Sequence, residues 1–308
     1  MRALLAALVA LHAGAAAAHG VHQTDHGPRA ATPRQGWTPK LITPAEAATR
    51  MTVDQAGGQR IIAADGLPDH QPGQFPNRGN PNAVRAQNYT FHMPLVPRRT
   101  THPTPYARHP FGIALNGVVF DPGTAEFWNN DPRSGWNVEA LGGAMDLGLD
   151  RHNAHVQPSG AYHYHALPTG ILERLPWRTQ PALIGYAADG HPIYAPFGWR
   201  EAMNPASGIV ELKPSWRLKQ GRRENGPPGP YNGAYTQDYE FAAGSGDLDP
   251  CNGRTAATPE YPQGTYHYVL TAAFPFIPRC YMGAPDPSFT RAAGGPPPHR
   301  QPGGRPPR

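Results

Sequence analysis

The 308-residue chain carries 39 Pro and 35 Gly but only 16 % charged residues. That is a composition of turns and extended segments, and it excludes coiled coils and solvated helical bundles. The formal charge of +5 sits at the ends: apart from Arg2 and the segment from Asp286 onward, 22 bases face 21 acids. The middle therefore has no electrostatic footprint for nucleic acid.

Met1-Arg2, the apolar run Ala3 to Leu11 and Ala16-Ala17-Ala18 read as a signal peptide over 1–18 with a small-residue cleavage site. It is too short to span a bilayer, and no later stretch reaches eighteen apolar residues. The expectation is an exported protein, periplasmic or secreted, with no membrane span. Residues 19–60 lack periodicity and read as a flexible arm; 286–308 form a low-complexity Pro/Gly/Arg tail. The folded domain is expected over 61–285. Cys251 and Cys280 are the two cysteines, which in an oxidising compartment form one disulfide.

Within the core, Asn116-Gly117 lies between the short apolar runs of Gly112–Phe120, and Asp189-Gly190 lies likewise within Gly185–Tyr194. Both dipeptides supply the positive φ of a two-residue hairpin turn. Each hairpin is followed by the same two elements in the same order. Leu149-Asp150-x-x-Asn153 precedes Gly160-x-Tyr162-His163-Tyr164, and Leu248-Asp249-x-x-Asn252 precedes Gly264-x-Tyr266-His267-Tyr268. The spacing predicts two β units, at about 105–180 and 181–285, with an insertion around 196–240 in the second. Short helical turns are expected near Trp136 to Met145. The expected class is mainly β: duplicated β-hairpin units forming one pseudo-symmetric sandwich-like or barrel-like domain.

Tyr162-His163-Tyr164-His165 alternates with the period of a strand, so His163 and His165 share one face and the tyrosines the other. His155 lies upstream across Pro158-Ser159-Gly160, a turn that folds it back beside the pair. Three imidazoles suit copper or zinc and not calcium or magnesium. In the second unit Arg254 and Val269 stand where the first has His155 and His165, and His267 persists, which makes it the expected fourth ligand. The metal-ligand set is thus His155, His163, His165 and His267. Asp150/Asn153 and Asp249/Asn252 read as turn-fixing side chains, and Asp69 as a carboxylate that could orient a ligand histidine. His19 and His22 form a further copper-chelating candidate at the mature N-terminus. The chain has no G-x-S-x-G, H-E-x-x-H, C-x-x-C, Walker or G-x-G-x-x-G motif.

These segments resemble the YHYH domain family, named for the motif seen here as Tyr162-His163-Tyr164-His165. Gly66 to His70, Phe111 to Gly117, Leu149 to His155, Gly185 to Tyr194, Gly246 to Asp249, Asn252-Gly253 and Gly264 to Tyr268 carry the likeness over roughly 60–285. The resemblance implies an exported bacterial or eukaryotic protein and assigns no reaction. The function expected from the residues is metal binding, with copper or zinc as the ion, for capture, delivery or redox chemistry. Two alternatives are a zinc-dependent hydrolase using Asp150 or Asp189 as general base, and a non-catalytic surface module holding a glycan or protein partner on its Tyr and Trp residues.

Overall fold

A computed structural model of the chain describes residues 49–292. Three strands, β1 (Thr49–Asp54), β2 (Gln59–Ala64) and β3 (Tyr89–Pro94), form an antiparallel sheet in that order. β1 and the start of β2 lie within the 19–60 segment expected to be a flexible arm; its residues before 49 lie outside the described residues. Every residue of β1 is exposed, so no alternation of buried side chains marks it as a strand. β2 does alternate, but one inward position is Arg60, whose guanidinium lies 3.7 Å above the Tyr186 ring.

After β4 (Thr104–Pro105), the main sheet takes up β5 (Gly112–Ala114), β6 (Val119–Phe120), β7 (Ala154–Val156), β8 (Tyr162–Tyr164), β9 (Leu183–Ala187) and β10 (Pro192–Tyr194). The expected insertion forms two separate hairpins. One pairs β11 (Phe197–Glu201) with β12 (Asn204–Glu211), the other β13 (Trp216–Leu218) with β14 (Tyr239–Phe241). The main sheet is completed by β15 (Gly253–Ala256) and β16 (Thr265–Val269), and β17 (Cys280–Tyr281) pairs with β4. Short 3-10 turns lie at Trp128–Asn130 and Pro132–Ser134, ahead of the 136–145 segment where helical turns were expected. A helix over Pro287–Ala292 opens the expected tail.

The main sheet has eight strands in the order β15-β16-β10-β9-β5-β6-β8-β7. It is open, with β15 and β7 as edges, so the barrel expectation is not met. Its centre is the antiparallel pair β5–β9, with Ile113 opposite Tyr186. Going outward on either side, the chain makes an antiparallel hairpin (β5–β6, β9–β10), then a parallel pair (β6–β8, β10–β16), then an antiparallel edge pair (β8–β7, β16–β15). Gly112 and Gly185 face each other's strands at the centre. A Cβ on Gly112 would strike the Tyr186 carbonyl, and one on Gly185 the Ile113 carbonyl. Glycine at both is what lets the two hairpins approach.

The apolar payload lies on the tyrosine face. Tyr162, Tyr164, Phe120 and Tyr268 are fully buried there, and Phe111 stacks on Tyr281 at 4.7 Å. Each buried phenol is anchored: Tyr162 donates to Asp150, Tyr266 to Asp249 and Tyr268 to Asp189, while Tyr164 accepts from Asn116. Asp150 and Asp249 also accept main-chain N–H groups two and four residues on, from His152 and Ala154 and from Cys251 and Gly253. These are the turn-fixing roles expected of them. Asn153 (φ 57) and Asn252 (φ 54) take the left-handed conformation that completes each turn. Cys251 and Cys280 are bonded, with Cα atoms 5.0 Å apart.

Candidate metal centre

On the opposite face of β8 the three expected imidazoles of the first unit come together. Alternation places His163 and His165 on one side. The β7–β8 register then sets His155 directly opposite His163. The reversal between these strands is closed by the Gly160 N–H, which donates to the Gln157 carbonyl at 2.8 Å, with Gly160 at φ 90. Beyond the end of β8, the His165 N–H donates to the Asn153 carbonyl at 2.8 Å. That bond holds His165 in line with the strand.

The ring centroids of the three histidines lie 4.7 Å apart in every pair. One nitrogen from each ring falls within 4.8 Å of the others. Two rings have their tautomer set by the main chain. His155 Nδ1 donates to the Leu147 carbonyl at 2.7 Å, and His163 Nδ1 to the Ala161 carbonyl at 3.2 Å. Their Nε2 atoms are therefore lone-pair donors for an ion, oriented by the carbonyls behind them. His165 Nε2 lies 3.0 Å from His155 Nε2, and its buried Nδ1 has no hydrogen-bond partner among the described residues.

The environment keeps the rings neutral. Burial, reinforced by the charge of His155, pushes His163 down to about 3. Burial and then the His163 and His155 charges hold His165 well below the ordinary value. Burial lowers His155 as well, opposed by its bond to Leu147 and by the carboxylates of Glu126, Asp121 and Asp150. A neutral imidazole is the form that ligates a metal. His163 and His165 are buried and His155 is half-buried, so the cluster opens toward solvent at His155.

His267 is not part of this cluster. It sits on β16 opposite Arg254, five strand positions from β8, roughly 24 Å away at about 4.8 Å per step. Its Nδ1 donates to the Thr265 carbonyl at 3.2 Å, the same bond as His163 makes, and its ring packs on Tyr194 at 4.8 Å. The β15–β16 pair thus sets a guanidinium opposite its histidine, where β7–β8 sets a second imidazole.

The acids considered as bases are committed elsewhere. Asp150 faces the tyrosine side, with Oδ2 taken by Tyr162 and the Gly73 N–H and Oδ1 by two main-chain groups. Asp189 Oδ2 is held by Tyr268, the Gly283 N–H and His191. Asp69 bonds Arg174 and Asn116 and orients no cluster ring. His19 and His22 lie outside the described residues. Two contributors had no local signal in the sequence: the carbonyls of Leu147 and Ala161.

The described residues thus form an open β sheet with three converging imidazoles at its β7–β8 edge. Residues 90–283, more than half of the chain, match the family described as YHYH protein, and the chain belongs to that family. No curated protein and no solved structure matches it. No helix among the described residues is long and apolar enough to cross a membrane.

Proposed function

We propose that the chain is an exported metal-binding protein that holds one copper or zinc ion on His155, His163 and His165. The observation that carries this reading is the convergence of three rings at 4.7 Å, two with Nδ1 fixed by a carbonyl. Three nitrogen donors suit either ion. Three protein ligands also leave a coordination position for a partner ligand, as capture, delivery or redox exchange requires. Export is supported by the leader-like residues 1–18 and by the Cys251–Cys280 bond, which suits an oxidising compartment.

The chain's own contribution is to pre-form the site. The β7–β8 register positions the rings, and burial removes the competing proton. The test is elemental analysis of protein purified from its native compartment, beside a His163→Ala/His165→Ala variant. The expected result is one equivalent of copper or zinc in the parent and none in the variant. Equal metal in both would refute the reading.

We infer further that the two units are copies of one ancestral hairpin-and-strand element. The matched strand pairings, the Asp150/Asp249 turns and the shared Nδ1 bonds of His163 and His267 support this. One copy kept the imidazoles and the other did not.

A further inference from the structure

The three-stranded sheet has one covered edge and one bare edge. At β3, Ser288 of the Pro287–Ala292 helix accepts from the His92 N–H at 3.0 Å and donates to the His92 carbonyl at 3.3 Å. That contact takes up main-chain groups that an outer strand would otherwise offer. At β1, no main-chain group of Thr49–Asp54 bonds anything but β2 among the described residues. A row of free N–H and C=O groups is a template for another strand.

The side chains of β1 are as incomplete as its edge. The β1–β2 register sets Met51 opposite Ile62 and Val53 opposite Arg60, both of which are buried. Met51 and Val53 therefore lie on the core face of the sheet, yet they are 47 % and 44 % exposed. Thr49, on the same face, does reach the main sheet, donating through Oγ1 to the Asn116 carbonyl at 2.9 Å. On the other face, Arg50 has no hydrogen-bond or ion-pair partner among the described residues, and Asp54 accepts only the Gly57 N–H, through Oδ1.

A second copy of the same strand supplies what each of these groups lacks. Directly opposed residues of an antiparallel pair have main-chain groups of the same orientation, and that orientation alternates along a strand. A two-fold axis relating two β1 strands must therefore fall on a residue and never between two. With the axis on Thr52, Arg50 stands opposite Asp54 of the second copy and Met51 opposite Val53 of the second copy, each pair occurring twice. An axis on Met51 instead sets Arg50 against Thr52, and one on Val53 sets Asp54 against Thr52. Only the Thr52 register pairs both charges and both apolar side chains.

We propose that β1 is a self-association edge. Two copies of this chain pair β1 to β1, antiparallel about Thr52, and join their three-stranded sheets into one of six strands. This inference does not depend on the metal-binding reading.

The test is sedimentation velocity of the full chain over a concentration series, for the parent, Arg50→Asp, Asp54→Arg and an equimolar mixture of the two variants. The parent should show a monomer–dimer equilibrium. Each reversal turns two opposite-charge pairs into two like-charge pairs, and should weaken the dimer by about tenfold or more. In the mixture every Asp at these positions faces an Arg, so dimers should return, an outcome that misfolded variants could not give. Register is read by oxidative cross-linking. Thr52→Cys should form a covalent dimer, because the two sulfur-bearing residues face each other across the axis. Arg50→Cys should not, because its two copies are offset by four residues, about 13 Å, along the strands. A parent that stays monomeric at every concentration, a dimer that both reversals leave intact, or a mixture no more associated than its components would overturn the proposal. Cross-linking of Arg50→Cys as readily as Thr52→Cys would overturn it too.

Discussion

Arg254 stands opposite His267 in the β15–β16 pair at the register at which His155 stands opposite His163 in β7–β8. The guanidinium donates through Nη2 to the Trp199 carbonyl at 2.9 Å and contributes its charge to keeping His267 neutral. A fixed cation thus stands opposite His267, where lone pairs stand opposite His163.

Restoring the ligands should therefore create a second centre. The double change Arg254→His with Val269→His is expected to raise zinc stoichiometry from one to two per chain. Isothermal titration decides it; a stoichiometry that stays at one in the folded variant would show that the two frames are not interchangeable.

The buried histidines set the response to acid. His163 and His267 are both lowered to about 3, chiefly by burial, against about 6.5 in the unfolded chain. Above 6.5 neither state is protonated at these rings, and the shifts are without effect. As pH falls below 6.5 the unfolded chain takes up protons that the folded chain refuses. Stability is then lost by up to about 1.4 kcal/mol per pH unit for each ring, until the folded values are reached. Urea midpoints of metal-free protein should therefore drop steadily from pH 7 to 5, whereas a flat profile would contradict the burial of these rings.

On the proposed metal-binding reading, neutral rings should also retain zinc in mild acid. Because burial keeps His163 and His165 unprotonated below the ordinary imidazole value, half-release of zinc is expected below about pH 6.5. Release monitored with a colorimetric chelator checks this. A midpoint at or above 6.5 would mean that the rings titrate as if exposed.

The Tyr162–Asp150 bond, on the other face of β8, should matter to stability and not to the histidine cluster. Tyr162→Phe removes a phenol donor to Asp150, a change expected to cost about 1–3 kcal/mol since the acceptor is charged. The Gly73 N–H still satisfies Oδ2, so the β7–β8 register and metal stoichiometry should survive. Denaturant unfolding and a zinc titration of this variant separate the two effects. Loss of stoichiometric binding in a folded Tyr162→Phe protein would contradict it.

Much of this centre was legible because its rules are local. Alternation alone puts His163 and His165 on one face, and the Pro158-Ser159-Gly160 turn returns His155 to them. The misassignment of His267 is a matter of topology. The motif order repeats, but only the strand order shows that the parallel pairs lie on opposite flanks of β5–β9, which separates His267 from the other three histidines. β1 and β2 were missed because one has no buried face and the other buries a cation on Tyr186, neither of which follows an apolar pattern.

The bond between Cys251 and Cys280 has a consequence for segments that neither cysteine touches. It ties the turn before β15 to β17, and the residue preceding Cys280 is Arg279. Arg279 clamps Glu139 and the Pro122 carbonyl, and its charge acts on His165. The bond therefore pins β17 beside the clamp that Arg279 makes on two segments distant in sequence. Reduction would release β17 and loosen the hold on Pro122 and Glu139 with it, so thiol reagents should be felt well away from the two cysteines.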